Sequence, residues 1–451
     1  MKLKPYPEYK DSGVEWLGNV PLNWNINRLR FVLRNGIDGI KIGPFGSMLK
    51  SDELVDEGFK VYGQENVINT DFHRGNRFIS KKKFKELIKY QIFTDDLIVT
   101  MMGTAGNAQL VPNNIQGGVM DSHLIRLRFN EKVIPKFIEI LINTSDYIKG
   151  EVKYFSKGAI MDGLNSELIK GLIISIPPKE EQKQIIHFLD KKTLEIDMTI
   201  EKDTRLIELL KEKRTALINH VVTKGLDPTV KMKDSGVEWI GRIPDDWDVN
   251  RLKFLTAKKA QYGANEEPEY NENKFDYRYV RITDVNDNGG LKKDSYAYLS
   301  KENARGFVLE EGDVLFARSG ATVGKVYYYS QDDGNCCFAG YMIRYVTNNE
   351  LLEPQFLLYY SLSKSYKEWI KVVSTQSTIE NVSAEKYDEL NIPTPKLSQQ
   401  RQIVKFLDNE IPKIDEIILK IEEKISFLKE YKKSLIHHVV TGKVDVREVA
   451  V

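Results

Sequence analysis

The stretch that decides the fold runs from Glu180 to Thr223 and reads EEQKQIIHFLDKKTLEIDMTIEKDTRLIELLKEKRTALINHVVT. It contains neither glycine nor proline, and its apolar residues recur three, four or seven positions apart, which is typical of a helix with one apolar stripe. A helix of this kind needs a partner to cover the stripe. The stripe comprises Leu189, Ile196, Ile200, Ile207, Leu210, Leu217 and Val221.

A second copy of this stretch, from Gln399 to Thr441, lies near the end of the chain. Its stripe repeats the spacing of the first with an offset of 218 residues, at Leu407, Ile414, Ile418, Ile425, Leu428, Leu435 and Val439. Because the spacings agree, the sequence predicts that the two helices pair within one chain; two unrelated core helices are the alternative. We call the residues of both stripes the seam.

Pro412, which corresponds to Leu194 in the first copy, predicts a bend early in each long helix. Proline is unfavourable inside a helix but suits its first turn. We therefore expect a short helix that ends near Asp190 or Asp408 and a longer one that begins near Thr193 or Pro412, with Thr193 as an N-cap. A helix of about 30 residues would span roughly 45 Å.

The segment before each long helix is also duplicated. Lys10–Gly18 reads KDSGVEWLG and Lys233–Gly241 reads KDSGVEWIG, and both copies continue into short strand-like and glycine-punctuated segments whose middles differ. The sequence predicts an α+β fold in which two mixed α/β domains are separated by two long antiparallel helices with pseudo-twofold symmetry. The expected boundaries are 1–178 for the first domain, 179–225 for the central helix, 226–395 for the second domain and 396–445 for the C-terminal helix.

Composition narrows the class of protein. The chain has 451 residues, of which 41% are hydrophobic and 29% charged, as in globular proteins with more than one domain. It has no apolar run near 18 residues and no signal-peptide pattern, so we expect a cytoplasmic protein without a membrane span. The net charge of +1 does not indicate a strong stand-alone nucleic-acid binder, unless basic residues are concentrated locally or a partner shares the phosphate contacts.

The motifs of catalysis are missing. Gly320–Val326 resembles a phosphate-binding loop, but only three residues separate its glycines and Val326 follows Lys325, so a turn between strands is the better interpretation. The adjacent Cys336 and Cys337 lack neighbouring ligands at metal spacing and are expected to be buried strand residues, so we predict no metal site. The sequence therefore favours a protein that is not an enzyme.

The arrangement resembles a known family, the specificity subunit of type I restriction-modification enzymes. The resemblance covers nearly the whole chain and is carried by motifs that are specific in combination: Asp11–Trp16 with Asp234–Trp239, Pro21–Trp24 with Pro244–Trp247, and PPKEEQKQIIHFLD at Pro177–Asp190 with its echo at Gln399–Asp408. It implies two target-recognition domains, each binding one half of a split, asymmetric DNA site. It implies also that the helix pair fixes the gap between the halves. A helix of roughly 45 Å can hold two DNA-reading domains about one DNA turn, roughly 34 Å, apart.

The resemblance further implies the partners. Two modification subunits would bring S-adenosylmethionine-dependent adenine methylation, and restriction subunits would bring ATP- and Mg-dependent cleavage, so this chain would hold no cofactor. Candidates for DNA contact are polar residues of the divergent middles: Lys50, Gln64, Asn66, His73, Arg74 and Lys157 in the first domain, and Tyr262, Arg281, Arg318 and Gln376 in the second. The alternatives are a protein-binding coiled-coil adaptor and a self-contained DNA-acting enzyme.

Overall fold

The computed structural model describes residues 3–15, 17–45, 48–102, 105–144, 150, 164–270, 277–293, 296–320, 322–375 and 381–449. Contacts within the chain divide it into two units. Unit 1 is Met1–Lys202 with Lys424–Val451, and unit 2 is Asp203–Glu423. Each unit therefore combines one domain with a part of each long helix.

The first part of the chain, up to the end of the central helix, contains twelve strands and five α-helices among the described residues. The strands are β1 (Tyr9–Asp11), β2 (Asn19–Pro21), β3 (Asn25–Arg28), β4 (Ile40–Ile42), β5 (Leu54–Val55), β6 (Phe59–Tyr62), β7 (Phe78–Ile79), β8 (Leu97–Thr100), β9 (Ala108–Leu110), β10 (Gly118–Met120), β11 (Leu124–Leu127) and β12 (Ile173–Ile176). The helices are α1 (Gln64–Ile68), α2 (Lys81–Glu86), α3 (Pro135–Thr144), α4 (Ser166–Gly171) and the long α5 (Lys179–Lys224).

The second part of the chain repeats this series. Its strands are β13 (Met232–Asp234), β14 (Arg242–Pro244), β15 (Asp248–Arg251), β16 (Gln261–Tyr262), β17 (Tyr277–Val280), β18 (Tyr298–Leu299), β19 (Val314–Ala317), β20 (Val326–Tyr328), β21 (Cys336–Phe338), β22 (Met342–Tyr345) and β23 (Asn391–Thr394). Its helices are α6 (Pro354–Leu362), α7 (Lys364–Thr375), α8 (Ala384–Asp388) and the long α9 (Leu397–Val440).

Each unit has a main sheet of four strands. The order is β4-β11-β8-β9 in unit 1 and β16-β22-β19-β20 in unit 2, with all neighbours antiparallel. Each unit also has a second sheet, with the order β10-β6-β7-β5 in unit 1 and β18-β17-β21 in unit 2. Each second sheet contains one parallel pair, β6 with β10 in unit 1 and β17 with β21 in unit 2. This mixture of helices and sheets confirms the predicted α+β class.

Both long helices contribute to the core of each unit. In unit 1, Phe188 and Leu189 of α5 and Val439 of α9 are buried in the cluster that holds Trp24. In unit 2, the later part of α5 and the earlier part of α9 join the cluster around Trp247, with Val222 and Leu407 fully buried. Burying one such apolar side chain stabilises the fold by about 1.5–3 kcal/mol, so each domain anchors two helix segments.

The helices run antiparallel within each unit, and equivalent ion pairs join them. In unit 1, Lys432 Nζ lies 2.6 Å from Asp197 Oδ2, and in unit 2, Arg214 Nε lies 2.9 Å from Asp415 Oδ1. Within unit 2 the second ion pair, between Lys211 and Glu422, shows the antiparallel direction. From the first pair to the second, the residue number decreases along α5 and increases along α9. No seam residue is exposed; Ile200, Leu210, Leu217, Ile425 and Leu428 are half-buried and the others are buried.

The predicted division of each long helix near Asp190 or Asp408 is wrong, because α5 and α9 are each one continuous helix. Thr193 lies inside α5, where its hydroxyl donates to the Asp190 carbonyl at 3.4 Å, and Pro412 lies inside α9. Pro412 faces solvent, so water can reach the carbonyl that its missing N–H leaves unbonded, while buried Ile411 and Ile414 continue the packed face on either side. At 1.5 Å per residue, α5 is roughly 69 Å long.

The glutamine of the Glu-Gln motif fixes the start of each long helix. Gln182 Oε1 accepts the Ile134 N–H at 2.8 Å, and its amide donates to the carbonyls of Lys132 and Pro177 at 3.1 and 2.9 Å. Gln400 repeats all three bonds, with the Glu353 N–H at 2.8 Å and with the carbonyls of Leu351 and Pro395 at 2.9 Å each. Both glutamines are completely buried, so the motif is a structural lock.

Two further expectations concern the cysteines and membrane-spanning helices. Cys336 and Cys337 are buried in β21, as predicted, and burial raises the pKa of each thiol to about 12. Within the described ranges, no helix combines the length and the apolar character that a membrane crossing needs.

Candidate nucleic-acid interface

Three chain segments meet at one end of each main sheet. They are the end of the edge strand (β4 or β16), the residue after β8 or β19, and the residue before β11 or β22. We call this the loop end of the sheet. It carries Ile42, Met101 and His123 in unit 1, and Tyr262, Arg318 and Tyr341 in unit 2.

Main-chain hydrogen bonds hold the two loop ends in the same way. The Met101 N–H donates to the His123 carbonyl at 2.9 Å, and the Arg318 N–H donates to the Tyr341 carbonyl at 3.0 Å. These bonds make Met101 the counterpart of Arg318 and His123 that of Tyr341. The strand register likewise makes Ile42, opposite Ile125, the counterpart of Tyr262, opposite Ile343.

A glycine follows each edge strand because the chain passes close to another backbone there. A Cβ added at Gly43 would lie 1.7 Å from the Asp121 carbonyl oxygen, and one added at Gly263 would lie 2.3 Å from the Ala339 oxygen. Neither position can hold a side chain without moving a backbone. The frame of the loop end is therefore fixed in both units, and only the side chains around it differ.

In unit 1 a charged cluster links the loop end to the segment around α1. Arg77 Nη2 lies 2.8 Å from Glu65 Oε1 and 3.0 Å from Asp121 Oδ2. Asp121 Oδ1 in turn accepts the His123 N–H at 3.0 Å. Arg77 is thus paired with two carboxylates, while the side chain of His123 is about half exposed.

The prediction that Asn66 contacts DNA needs correction. Its side chain is buried, and its amide nitrogen donates to the carbonyls of Asp71 and Arg74 at 2.9 and 2.8 Å. Its oxygen accepts the Gly63 N–H at 2.9 Å. With these groups engaged inside the unit, Asn66 shapes the segment between α1 and Arg74 and does not reach a base edge.

Three other predicted residues of the first domain are exposed. His73 and Arg74 are exposed beside the segment that Asn66 orders, and Lys50 is exposed ahead of β5. Gln64, the first residue of α1, is half-buried, and its Oε1 atom has no hydrogen-bond partner among the described residues. Lys157 of the first domain and Gln376 of the second lie outside the described residues.

In unit 2 the structure brings Tyr262 and Arg318 together. The Arg318 guanidinium carbon lies 4.8 Å from the centre of the Tyr262 ring, within the range of a cation–π contact. The Tyr262 hydroxyl accepts the Ala384 N–H at 3.0 Å, which fixes the ring against the start of α8. These two residues, predicted separately from the sequence, form one group.

Arg281 is instead a framework residue. Its Nε and Nη2 atoms lie 3.0 and 2.9 Å from the two oxygens of buried Asp284, and its Nη1 lies 3.3 Å from the Tyr270 hydroxyl. Arg281 donates two hydrogen bonds to the Asp284 carboxylate, which raises the pKa of the guanidinium, and the carboxylate balances its charge. Contact of Arg281 with DNA stays a prediction, and it would be made by a guanidinium that already pairs with Asp284.

Sequence reasoning missed His123 and Tyr341. Both are exposed at the loop end, and Tyr341 retains 63% of its accessible surface. Each stands directly before an equivalent strand of its main sheet, Leu124–Leu127 or Met342–Tyr345, and these strands begin with the similar sequences Leu-Ile-Arg and Met-Ile-Arg. The residue next to a repeated strand was the signal that could have identified them.

Within the part of the chain that the structure describes, no group of three or more His, Cys, Asp or Glu side chains is placed to hold a metal ion. The polar and aromatic groups at the loop ends are the exposed His123 and Tyr341 and the half-buried Tyr262 and Arg318. Such groups suit hydrogen bonding and stacking with nucleic-acid bases.

Comparison with known proteins gives consistent matches along the chain. A family model described as type I restriction modification DNA specificity domain matches residues 41–211 and 244–426. The MjaVIII specificity subunit of a type I restriction enzyme from Methanocaldococcus jannaschii is 22% identical over 426 residues, which cover 91% of this chain and 93% of that protein.

Two solved structures share the fold. One comes from work on complex assembly and conformational transition of the type I restriction-modification system; it has a TM-score of 0.69 and 17% identity, and the match covers 94% of this chain and 99% of that one. The other is the HsdS subunit from Thermoanaerobacter tengcongensis, with a TM-score of 0.56, 16% identity and coverage of 94% and 98%.

Proposed function

Since this chain belongs to the family of type I restriction modification DNA specificity domains, we propose that its two units each read one half of a split, asymmetric DNA site. It is the DNA-recognition subunit of a type I restriction-modification system, and its family is a specificity domain, not a catalytic one. The family match supports this interpretation over the two alternatives, a coiled-coil adaptor and a self-contained DNA-acting enzyme.

One observation supports a DNA site with two different halves. The two loop ends share their backbone bonds but present different side chains: Ile42, Met101 and His123 against Tyr262, Arg318 and Tyr341. Bases are distinguished by the donors, acceptors and apolar groups that meet their edges. Two frames with different side chains therefore favour two different half-sites.

The long helices are the proposed spacer between the half-sites. Each of them contributes side chains to the cores of both units, and neither is interrupted. A continuous helix is stiff over its length, which supports a fixed number of base pairs between the two recognised halves.

The proposed partners are two modification subunits and the restriction subunits of the same system. S-adenosylmethionine, ATP and Mg would be held by those partners. The near-zero net charge of +1 supports this division, because a protein that binds DNA alone usually has an excess of basic residues, whereas partners can supply phosphate contacts.

The test is to map methylated bases. The chain is expressed with its modification subunit in a host without adenine methylation, and the modified positions are sequenced. We expect one split motif with unequal halves and a constant gap. Absence of methylation by a complex whose modification subunit binds S-adenosylmethionine would overturn the proposal, and methylation by this chain alone would show a catalytic site.

A matched hybrid assigns the halves. Residues 32 to 170 are replaced by the corresponding part of another specificity subunit, which leaves unit 2 and both helices intact. We expect the mapped motif to change in one half only, which identifies the half-site of unit 1. A change in both halves would contradict separate reading by the two units.

A further inference from the structure

The guanidinium of Arg318 differs from those of Arg281 and Arg344 because no carboxylate of the described residues pairs with it. Among the residues that the structure describes, its side chain makes no ion pair or hydrogen bond, and its Nε atom is shielded from solvent. The hydroxyl of Ser383 lowers the pKa of exposed Glu385, and the charge of Arg318 adds to that effect without forming a pair. Arg281 and Arg344 of the same unit, by contrast, pair with Asp284 and Asp313.

The position of Arg318 is determined from three sides. Its N–H donates to the Tyr341 carbonyl, and its own carbonyl accepts the Val382 N–H at 2.8 Å. Its guanidinium lies over the Tyr262 ring, which the Ala384 N–H holds in place. Since Nε is covered, the two terminal nitrogens are the donors left for a ligand.

We propose that Arg318 reads a guanine through the major groove in the half-site bound by unit 2. This rests on the proposed function. The two terminal nitrogens donate to O6 and N7 of the guanine, the pair of acceptors that only this base presents there. Exposed Tyr341 borders the same site.

A base contact fits this geometry better than a phosphate contact. A phosphate contact can be made by an exposed lysine, whose ammonium is a point charge on a flexible stem and needs no fixed orientation. Arg318 is half-buried at the end of a sheet strand and stacked on an aromatic ring, which fixes the direction of its donors. Fixed donors are what discrimination between bases requires.

The corresponding position of unit 1 cannot make this contact. Met101 replaces Arg318 and Ile42 replaces Tyr262 on the same backbone frame, so neither the cation nor the ring that holds it is present. The guanine requirement is therefore specific to the half-site of unit 2.

The experiment compares methylation maps of complexes that carry Arg318→Met and the unchanged chain. Arg318→Met copies the residue of unit 1 and keeps an unbranched side chain. We expect the half-site of unit 2 to lose its requirement for guanine at one position, with the other half-site and the gap unchanged. The matched control is Arg401→Met, at an exposed α9 residue paired with Glu353, which should leave the map as it is.

A binding measurement separates base from phosphate contact. The probe is a duplex with the mapped motif in which that guanine is replaced by 7-deazaguanine, which lacks the N7 acceptor. We expect the replacement to weaken binding of the unchanged complex on the order of tenfold and to leave Arg318→Met binding unaffected. Arg318→Lys, which keeps the charge but not the paired donors, should show an intermediate preference and provides the test should Arg318→Met fail to fold.

Three outcomes would overturn the inference while the proposed function stands. They are a half-site of unit 2 without guanine, an unchanged map with the variants, and a uniform loss of affinity for all sequences with a shallower salt dependence, which indicates a phosphate contact. A missing split motif in the unchanged complex would instead refute the proposed function.

Discussion

The starts of the two long helices are bonded alike down to single atoms, whereas the loop ends of the two sheets share only their backbones. Gln182 and Gln400 each make the same three hydrogen bonds inside their units. At the loop ends, Met101 faces the same backbone partner position as Arg318, yet one is a thioether and the other a cation. We call the three hydrogen bonds of each buried glutamine a joint. The two copies in the chain thus share their joints but differ in the side chains at the loop ends.

The difference follows from what each position must satisfy. A buried glutamine that completes three backbone groups cannot be exchanged without leaving donors or acceptors unbonded. A side chain at the loop end meets solvent or a ligand, so its replacement leaves the frame intact. The same fold can therefore present new half-site contacts without a change in stability.

The largest effect is expected from breaking a joint. Gln182→Ala or Gln400→Ala removes three hydrogen bonds and leaves one N–H and two carbonyls unbonded in a buried site. Each should lower the free energy of unfolding by roughly 3 kcal/mol or more. Urea denaturation followed by tryptophan fluorescence measures the loss.

The controls for this prediction lie two residues further along each helix. Gln184 and Gln402 are exposed, so Gln184→Ala and Gln402→Ala should change stability by less than about 0.5 kcal/mol. Equal losses for the buried and the exposed glutamines would show that the buried hydrogen bonds do not stabilise the helix starts. A large loss for only one of the two buried glutamines would show that the two joints are not equivalent.

Much of the fold could be read from the sequence because the seam and the repeats depend on local periodicity. The continuity of α9 could not be read, since whether Pro412 interrupts the helix depends on the side that it faces and on the burial of Ile411 and Ile414 around it. The lock at Gln182 was visible as a motif, but its partners Lys132 and Ile134 are about 50 residues away.

The site was harder to read for the same reason. The sequence placed its candidates on the divergent segments, but it could not separate Arg318, which forms no ion pair with a described residue, from Arg281, although Asp284 stands only three residues from the latter. Nor could it show that Asn66 points inward. Which polar side chain is free depends on tertiary contacts that residue type does not encode.

A second effect should distinguish the units by their thiols. Cys336 and Cys337 are the only cysteines and lie in unit 2, and burial raises the pKa of each from 9.0 to about 12. At pH 8 the folded thiols should therefore react with a thiol reagent on the order of a thousandfold more slowly than unfolded ones. Because the folded pKa is raised, their contribution to stability is complete below pH 9 and decreases as the pH rises toward 12.

The rate of thiol modification shows whether the hydrogen bonds of each buried glutamine stabilise only the unit that contains them. We expect Gln400→Ala, in unit 2, to raise the rate of thiol modification at pH 8 more than Gln182→Ala does. Gln402→Ala should leave the rate unchanged. An equal rise for both buried glutamines would mean that the units unfold together and that the comparison holds for structure but not for stability.

The smallest effect concerns the equivalent ion pairs of the long helices. The side chains of Asp197 and Lys432 are 54% and 30% exposed, whereas those of Asp415 and Arg214 are 33% and 11% exposed. Asp197→Asn should cost about 0.5 kcal/mol or less, because water and salt screen an exposed pair. Asp415→Asn should cost nearer 1 kcal/mol, because Arg214 loses the carboxylate that it needs in a less solvated place. Urea titrations of these variants, each in a double-mutant cycle with Lys432→Met or Arg214→Met, measure the two coupling energies, and 1 M salt should reduce the former more than the latter. A coupling as large for Asp197 as for Asp415 would show that position in the duplicated helix, and not exposure, determines the strength of these pairs.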